Sequence, residues 1–110
     1  MEENCVMKMS DIYISGTLGP RFISIGPNSG EEFRTKYLIP WFEQLEGTGT
    51  GIIDFSGITV YSPSFLEEGF AGAIRAGYKD EVKNLQFINM DPYWCEKLKG
   101  FILKAVREAK

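Results

Sequence analysis

Four short apolar segments, separated by glycine and proline, mark the extended parts of this chain. Residues 51–55 (GIIDF) and 85–90 (LQFINM) are apolar runs with β-branched or aromatic side chains, and turn residues bound each of them. Such runs predict buried strands. Residues 9–15 and 21–25 mix apolar and polar positions on either side of a turn that contains two glycines and Pro20. This arrangement predicts an opening hairpin.

Two of the three predicted helices follow clear cap residues. Ser29 is followed by Glu32, the spacing of a capping box, and then by an aromatic face at helical spacing over residues 29–45. Pro40 interrupts that face, so we expect a kink or two abutting helical pieces, because proline cannot donate to the preceding turn. Asp91 is followed directly by proline and begins the last helix in the same manner.

The remaining helix begins near residue 62, after a second extended piece at residues 58–61. Pro63 suits the first helical position, which makes Ser62 the N-cap. In a competing register Ser64 is the N-cap and Glu67 closes a capping box. In either register two hydroxyl groups lie where the helix N–H groups point outward and the helix dipole is positive. Such a place favours a phosphate or a carboxylate.

Glycines in two places invite comparison with functional motifs. Gly69 and Gly72 lie inside the second helix, where glycine is unfavourable, and they predict either close packing of another segment or a partner surface. Residues 47–51 alternate glycine with threonine, but no lysine follows and a strand comes next. We therefore interpret this segment as a plain turn and not as a phosphate-binding loop.

The predicted order of elements is β-β-α-β-α-β-α. A strand–helix–strand crossover requires neighbouring parallel strands, whereas an opening hairpin requires an antiparallel pair. The expected fold is therefore a single-domain α/β sandwich with a mixed sheet of about four strands and three main helices. We place this domain at residues 9–110 and interpret residues 1–8 as a flexible leader.

Composition narrows the possible functions. The net charge is −3 and the chain has no histidine. An acidic chain without a basic cluster is not expected to bind nucleic acid or an anionic membrane. Without histidine it also lacks the commonest general base and transition-metal ligand, so we expect neither catalysis nor a metal or cofactor.

The cysteines and the chain start point to the cytoplasm. Cys5 and Cys95 lack CxxC spacing and are expected to be reduced thiols. No apolar run has the length of a membrane span, and the N-terminus lacks the features of a signal peptide.

Several charged residues in or near the second predicted helix are candidates for a functional site. Asp54 ends a strand, where α/β domains often place a functional carboxylate, but a turn-forming role ahead of Ser56 is equally compatible with the sequence. Glu67 and Glu68 are adjacent in a helix and point about 100° apart, so they cannot act as a paired dyad. We interpret Glu67 as a cap partner and Glu68 as a solvated charge. Arg75 is expected on the surface, with an anion contact as the alternative.

One combination of motifs resembles a known family. It consists of residues 29–34 (SGEEFR), 54–57 (DFSG) and 62–70 (SPSFLEEGF). The combination is similar to the STAS-like domain family of unknown function, DUF4325, and the resemblance extends over about residues 9–109. It implies the STAS fold, the fold of bacterial anti-sigma factor antagonists.

The resemblance also implies a site. In STAS domains that act as antagonists, a kinase-like ATPase phosphorylates a serine in an Asp-Ser-Ser-Gly-like turn. Residues 62–65 take that place here, so Ser64 is the implied phosphoacceptor and Ser62 the neighbouring candidate. The chain differs from that motif: no aspartate precedes the serine, Pro63 stiffens the turn, and Phe65 replaces glycine.

The leading hypothesis is a cytoplasmic, non-catalytic module that binds a protein partner around the helix start. The resemblance implies an anti-sigma (GHKL-type) ATPase as that partner. Two alternatives remain: an anion or nucleotide site that uses Ser62, Ser64 and Arg75, and a homodimer formed through the glycine strip or the aromatic first helix. The residues expected to support the interaction surface are Asp54, Pro63, Phe65, Glu67 and Glu68.

Overall fold

The computed structural model describes residues 5–45 and 51–109, and its sheet has three strands. They are β1 (Cys5–Lys8), β2 (Gly51–Asp54) and β3 (Gln86–Ile88). All run parallel, in the order β1-β2-β3. Both strands predicted from apolar runs are therefore observed, as β2 and β3. Only β2 is buried, because Gln86 and Ile88 of β3 are exposed. The turn predicted at residues 47–51 lies, except for Gly51, outside the described residues.

Five helices accompany the sheet in the described part of the chain. They are α1 (Met9–Ile12), α2 (residues 30–45), α3 (residues 63–75), α4 (Lys79–Lys83) and α5 (Pro92–Glu108). Both α2 and α3 contain π-helical turns, at Phe33–Leu38 and Glu67–Ala71. The π-helical turns of α2 directly precede the α-helical piece that contains Pro40. The helix nevertheless continues across Pro40 to Leu45, so two separate helical pieces are not observed there.

The strand order leaves one face of the sheet open. Parallel crossovers are almost always right-handed, so the order β1-β2-β3 places α2 and α3 on the same face. Residues paired across neighbouring strands point their side chains to the same face of the sheet. Ile53 and its partner Phe87 point to the face that the helices cover. On the other face Val6 is 54% exposed and Ile88 is 38% exposed. Most parallel sheets are covered on both faces, so this open face is a departure from the usual arrangement.

Aromatic side chains fill the space between the sheet and the helices. The Phe33 ring of α2 lies 5.4 Å from both Phe65 and Phe70 of α3, measured between ring centroids. Phe70 in turn meets Phe87 of β3 edge-on at 5.4 Å. Because fully buried aromatic rings contribute large apolar areas and favourable ring contacts, this cluster fixes α2 and α3 on the sheet.

The predicted mixed sheet of four strands and the count of three helices are wrong. Residues 9–12 form α1, and residues 21–25 form turns instead of a strand. The Gly19 N–H donates to the Asn28 carbonyl at 2.9 Å, and the Gly30 N–H donates to the Pro20 carbonyl at 2.8 Å. These bonds close the segment into a loop, so it cannot extend beside residues 9–15. The hairpin is therefore replaced by a loop that exposes its apolar side chains, Phe22, Ile23 and Ile25.

The N-terminal boundary of the domain is earlier than predicted. Residues 5–8, assigned to a flexible leader, form β1 and pair with β2 from Cys5↔Gly51 to Lys8↔Asp54. The strand was missed because it is short and only Val6 and Met7 carry a clear apolar signal. Residues 1–4 of the proposed leader lie outside the described residues.

The glycine strip of α3 faces the interior. A Cβ at Gly69 would meet the Phe33 ring at 3.0 Å, and a Cβ at Gly72 would meet the Arg34 guanidinium at 2.7 Å. The two glycines make room for side chains of α2, so the predicted close packing of another segment is observed. The alternative of a self-association surface on this strip is therefore wrong.

No helix within residues 5–45 and 51–109 combines the length and the apolar character needed to cross a membrane.

Candidate functional site

The predicted bend at residues 62–64 begins α3. Ser62 has an extended backbone (φ −136°, ψ 120°), and its hydroxyl accepts a hydrogen bond from the Phe65 N–H at 3.2 Å. Pro63 takes the first helical position and is exposed, while Ser62 and Ser64 are half-buried. Ser62 as the N-cap is confirmed, and the register with Ser64 as the cap is wrong.

Phe65 holds this bend against the core. None of its surface is exposed, and its ring meets Tyr13 edge-on at 5.5 Å. Phe65 therefore cannot contribute to an exposed interaction surface, which corrects its predicted role. The bulky side chain that replaces the family's glycine acts as an anchor beneath the two serines.

Glu67 and Glu68 join a cluster of charges along the first turns of α3. Arg21 Nη1 lies 2.6 Å from Glu67 Oε1 and 3.3 Å from Glu68 Oε1. Arg34 pairs with the Glu68 carboxylate and donates to the Glu68 carbonyl at 3.2 Å. Arg75 reaches back to Glu67 at 2.8 Å. Three guanidinium groups thus share two carboxylates, and the cluster carries excess positive charge.

This charge cluster corrects two predictions. Glu67 is an ion-pair partner and not a cap partner, because Ser62 caps the helix and leaves Glu67 free to meet Arg21 and Arg75. Glu68 is not a solvated charge, since only 12% of its side chain is exposed. Arg75 lies in the last turn of α3, so the structure does not bring it together with Ser62 and Ser64.

Acid is expected to weaken the charge cluster. The hydrogen bond from Arg75 lowers the pKa of Glu67, and Arg21 lowers it further, although burial acts in the opposite direction. A carboxyl group whose pKa is lower in the folded than in the unfolded state stabilises the fold at pH values above its unfolded pKa. This contribution is lost as the pH falls through the pKa of the folded state. The free energy of unfolding should therefore decrease below about pH 4.3. Urea unfolding of Glu67→Gln across this range should show a shallower decrease. The exposed Glu96→Gln serves as the control, and an equal slope in Glu67→Gln and the parent would contradict the assignment.

Asp54 joins the ends of β2 and β3. Its Oδ1 accepts hydrogen bonds from the Ser56 N–H at 2.9 Å and from Asn89 Nδ2 at 3.0 Å. The Ser56 bond, followed by the Asn89 bond, lowers the pKa of Asp54. The turn-forming role is therefore observed. Because the carboxyl ends of parallel strands share one edge of the sheet, Asp54 and Asn89 hold the loops that lead toward α3 and α5.

Stacked aromatic rings connect the starts of α3 and α5. Tyr61 and Trp94 stack with a centroid distance of 5.5 Å and an interplanar angle of 9°, and Tyr93 meets Trp94 edge-on at 5.2 Å. The Tyr61 hydroxyl accepts a hydrogen bond from the Asp91 N–H at 3.3 Å. No spacing rule links Tyr61 and Trp94 in the sequence, so this pairing could not be predicted from it.

The two helix starts present one surface, which we call the docking face. It contains half-buried Tyr61 and Trp94, and it also contains three exposed residues, Val60, Pro63 and Tyr93. Ser62 and Ser64 border it. Tryptophan and tyrosine are the residue types that most often dominate binding energy at protein interfaces.

The cap at Ser62 and the hydroxyl at Ser64 should differ in their importance for stability. Ser62→Ala removes the acceptor for the Phe65 N–H and is expected to lower the free energy of unfolding by about 1 kcal/mol. Ser64→Ala is the matched control, because no described residue hydrogen-bonds to its hydroxyl, and it should stay within about 0.5 kcal/mol of the parent. Urea denaturation measures both changes. An equal loss in the two variants would show that Ser62 is not the cap.

A buried hydroxyl lies beneath the bend. Tyr13 is 2% exposed, and its OH has no hydrogen-bond partner among the described residues. Burial is the main cause that raises its pKa. Because an unpaired buried hydroxyl is unfavourable, Tyr13→Phe should raise the free energy of unfolding by about 1 kcal/mol. Thermal and urea unfolding test this prediction. A loss of stability would reveal a partner of the hydroxyl in solution.

Within residues 5–45 and 51–109, no group of three or more His, Cys, Asp or Glu side chains could hold a metal ion. Cys5 and Cys95 are free thiols in this structure and are half-buried.

Comparison with known proteins identifies the family. No curated protein and no solved structure matches the chain. A family model described as a STAS-like domain of unknown function (DUF4325) matches residues 29–93, which is more than half of the chain. The matched range contains α2, β2, α3, α4, β3 and the start of α5, and it includes every residue of the docking face except Trp94. The chain therefore belongs to the STAS-like domain family of unknown function.

Proposed function

We propose that this domain is a non-catalytic, intracellular interaction module that binds a protein partner through the docking face. The observation that supports this most is the stacked pair Tyr61 and Trp94 beside an exposed helix start. Aromatic side chains that are already held rigid lose little entropy on binding, so they suit the centre of an interface. The exposed apolar residues Val60 and Tyr93 extend this centre.

Phosphorylation of Ser64 is the proposed regulation of this interaction. Ser62 already accepts the capping bond, whereas no described residue hydrogen-bonds to the Ser64 hydroxyl. A phosphate on the first turn of α3 would be favoured by the helix dipole. Arg21 of the charge cluster already pairs with Glu67 and Glu68, so the helix dipole is the contribution that favours the phosphate. The domain would then tolerate the modification, while the docking face gains almost two negative charges.

A kinase-like ATPase of the anti-sigma type is the proposed partner, by analogy with STAS antagonists. A phosphate beside Tyr61 and Pro63 would repel an acidic patch on such a partner and would be costly to desolvate in a closed interface. Binding should therefore be strong before modification and weak after it. This is a switch that acts on the interface and leaves the fold unchanged.

The experiment uses an ATPase encoded beside this protein. Calorimetry should detect a complex that Tyr93→Ala weakens at least tenfold, while Phe22→Ala, an exposed aromatic outside the docking face, binds as the parent does. After incubation with ATP, mass spectrometry should place the phosphate at Ser64. Ser64→Ala should remain unmodified, and Ser24→Ala should be modified normally. Absence of a complex would reject the proposed partner, and a complex indifferent to Tyr93→Ala would reject the docking face.

An anion or nucleotide site at the start of α3 is the alternative function. Thermal-shift measurements with inorganic phosphate, ATP and GTP distinguish it from the interaction module. A stabilisation that disappears in Ser64→Ala would favour the ligand. An unchanged melting temperature with all three compounds would exclude them as ligands of this site.

A further inference from the structure

The outer edge of β3 has unpaired main-chain groups. The Ile88 carbonyl accepts a hydrogen bond from the Phe55 N–H at 3.0 Å, so Ile88 directs its main-chain groups toward β2. Successive residues of a strand direct their main-chain N–H and C=O groups to opposite sides. Phe87, the neighbour of Ile88, therefore directs its N–H and C=O away from β2. In the described part of the chain, no strand pairs with β3 on that side. Such an edge can accept an additional strand.

An apolar groove lies beside this edge. It has a volume of about 390 Å³ and lies between α4, β3 and the C-terminal half of α5. Leu103 is 55% exposed although it lines the groove. The other apolar lining residues are Val82, Leu85, Phe87, Ile102 and Val106. An extended segment that pairs with Phe87 would direct alternate side chains into this groove, because strand side chains alternate between the two faces of a sheet.

The charges around the groove indicate what kind of segment fits. Lys83 and Lys99 line it, and none of the acidic residues within 5–45 and 51–109 does. This is notable in a protein whose net charge is −3. Carboxylates on a bound segment would meet both ammonium groups, and a basic segment would be repelled. The complementary occupant therefore carries both apolar and acidic side chains on the face that it turns toward the groove.

A second copy of this chain fits less well. In a twofold arrangement the β3 edges would pair with each other, and the lysines of both grooves would lie at one interface. Like charges placed close together oppose such a dimer. A heterologous acidic segment meets no such repulsion.

We propose that an extended, acidic and apolar segment of a protein partner adds to β3 as a fourth strand, with its apolar side chains in the groove and its carboxylates near Lys83 and Lys99. The main-chain bonds at Phe87 supply affinity, and the groove supplies specificity. This surface uses none of the docking-face residues, so the inference stands independently of the proposed switch.

The test uses the whole domain and a short fluorescein-labelled peptide whose groove-facing positions carry valine at the centre and glutamate at both ends, with threonine at the positions between them. Fluorescence anisotropy should detect binding, and the amide of Phe87 should exchange with deuterium more slowly when the peptide is present. Lys83→Glu combined with Lys99→Glu should weaken binding by about tenfold or more. Lys97→Glu is the matched control, because Lys97 lies on α5 over the Tyr93 ring and outside the groove. It should bind as the parent does.

Two altered peptides complete the design. A peptide with lysine in place of glutamate should not bind, and a peptide N-methylated on alternate residues should lose affinity because it cannot pair with the strand edge. Unchanged binding by the N-methylated peptide would overturn strand addition. No detectable binding up to about 1 mM would overturn the proposal as well. Sedimentation that shows a dimer dissociated by Leu103→Asp would assign the groove to self-association instead.

Discussion

Replacing Phe65 with alanine is expected to lower the free energy of unfolding by about 3–5 kcal/mol. The ring is completely buried and lies between Tyr13, at 5.5 Å, and Phe33, at 5.4 Å. Alanine would remove the apolar contacts and leave a cavity that the surrounding helices can close only in part. The capping bond to Ser62 would remain possible, because the main-chain N–H of residue 65 is unchanged.

The measurement is urea unfolding followed by circular dichroism. Phe22→Ala provides the control, since Phe22 is 42% exposed and should lose little stability. If partner binding is tested at a temperature where Phe65→Ala is still folded, affinity should decrease as well, because the anchor fixes the position of the serine bend. A loss below about 1 kcal/mol would contradict the packing described for this ring.

Gly30→Ala is expected to lower the free energy of unfolding by about 1–3 kcal/mol, an overpacking effect. A Cβ at residue 30 would lie 2.5 Å from the Phe65 carbonyl oxygen and 3.0 Å from the Phe65 Cα. Both atoms belong to the backbone of α3, which cannot move aside without disturbing the helix start. The first turn of α2 would have to shift away from α3, and the contacts of Phe33 would be disturbed with it.

Gly100→Ala is the matched control for this variant. Gly100 lies inside α5, and nothing lies within 4 Å of the position of an added Cβ. Alanine should therefore raise the free energy of unfolding there by up to about 1 kcal/mol, because it favours the helical conformation. The two glycine replacements should thus act in opposite directions in the same denaturation experiment. A stabilising Gly30→Ala would show that α2 and α3 are further apart than described.

Local signals explain the parts of the fold that the sequence predicted. Ser29, Ser62 and Asp91 each accept a hydrogen bond at the start of a helix, as expected from their position before an apolar face. The strands β2 and β3 follow from apolar runs bounded by turn residues. In these cases the residues that determine the structure are neighbours in sequence.

The errors arose where a distant partner decides the structure. Residues 21–25 alternate like a strand, but the loop closed by Gly19 and Asn28 prevents pairing. The partners of Glu67 and Glu68 include Arg21, which follows from no helical spacing. The burial of Phe65 beneath the serines likewise depends on α2. Of the candidate site, the helix start was therefore predictable, while the charge cluster and the aromatic stack were not.

The sequential strand order has a consequence for synthesis in the cell. In the part of the chain that the structure describes, β2 is the sole pairing partner of both β1 and β3. Neither outer strand can therefore pair until β2 has emerged from the ribosome. When it has, β1 and α2 are already available to dock, and the first crossover can form while α5 is still being translated. The nascent chain should therefore acquire its native contacts from the N-terminus onward, and a stalled intermediate would present β2 as an unprotected edge.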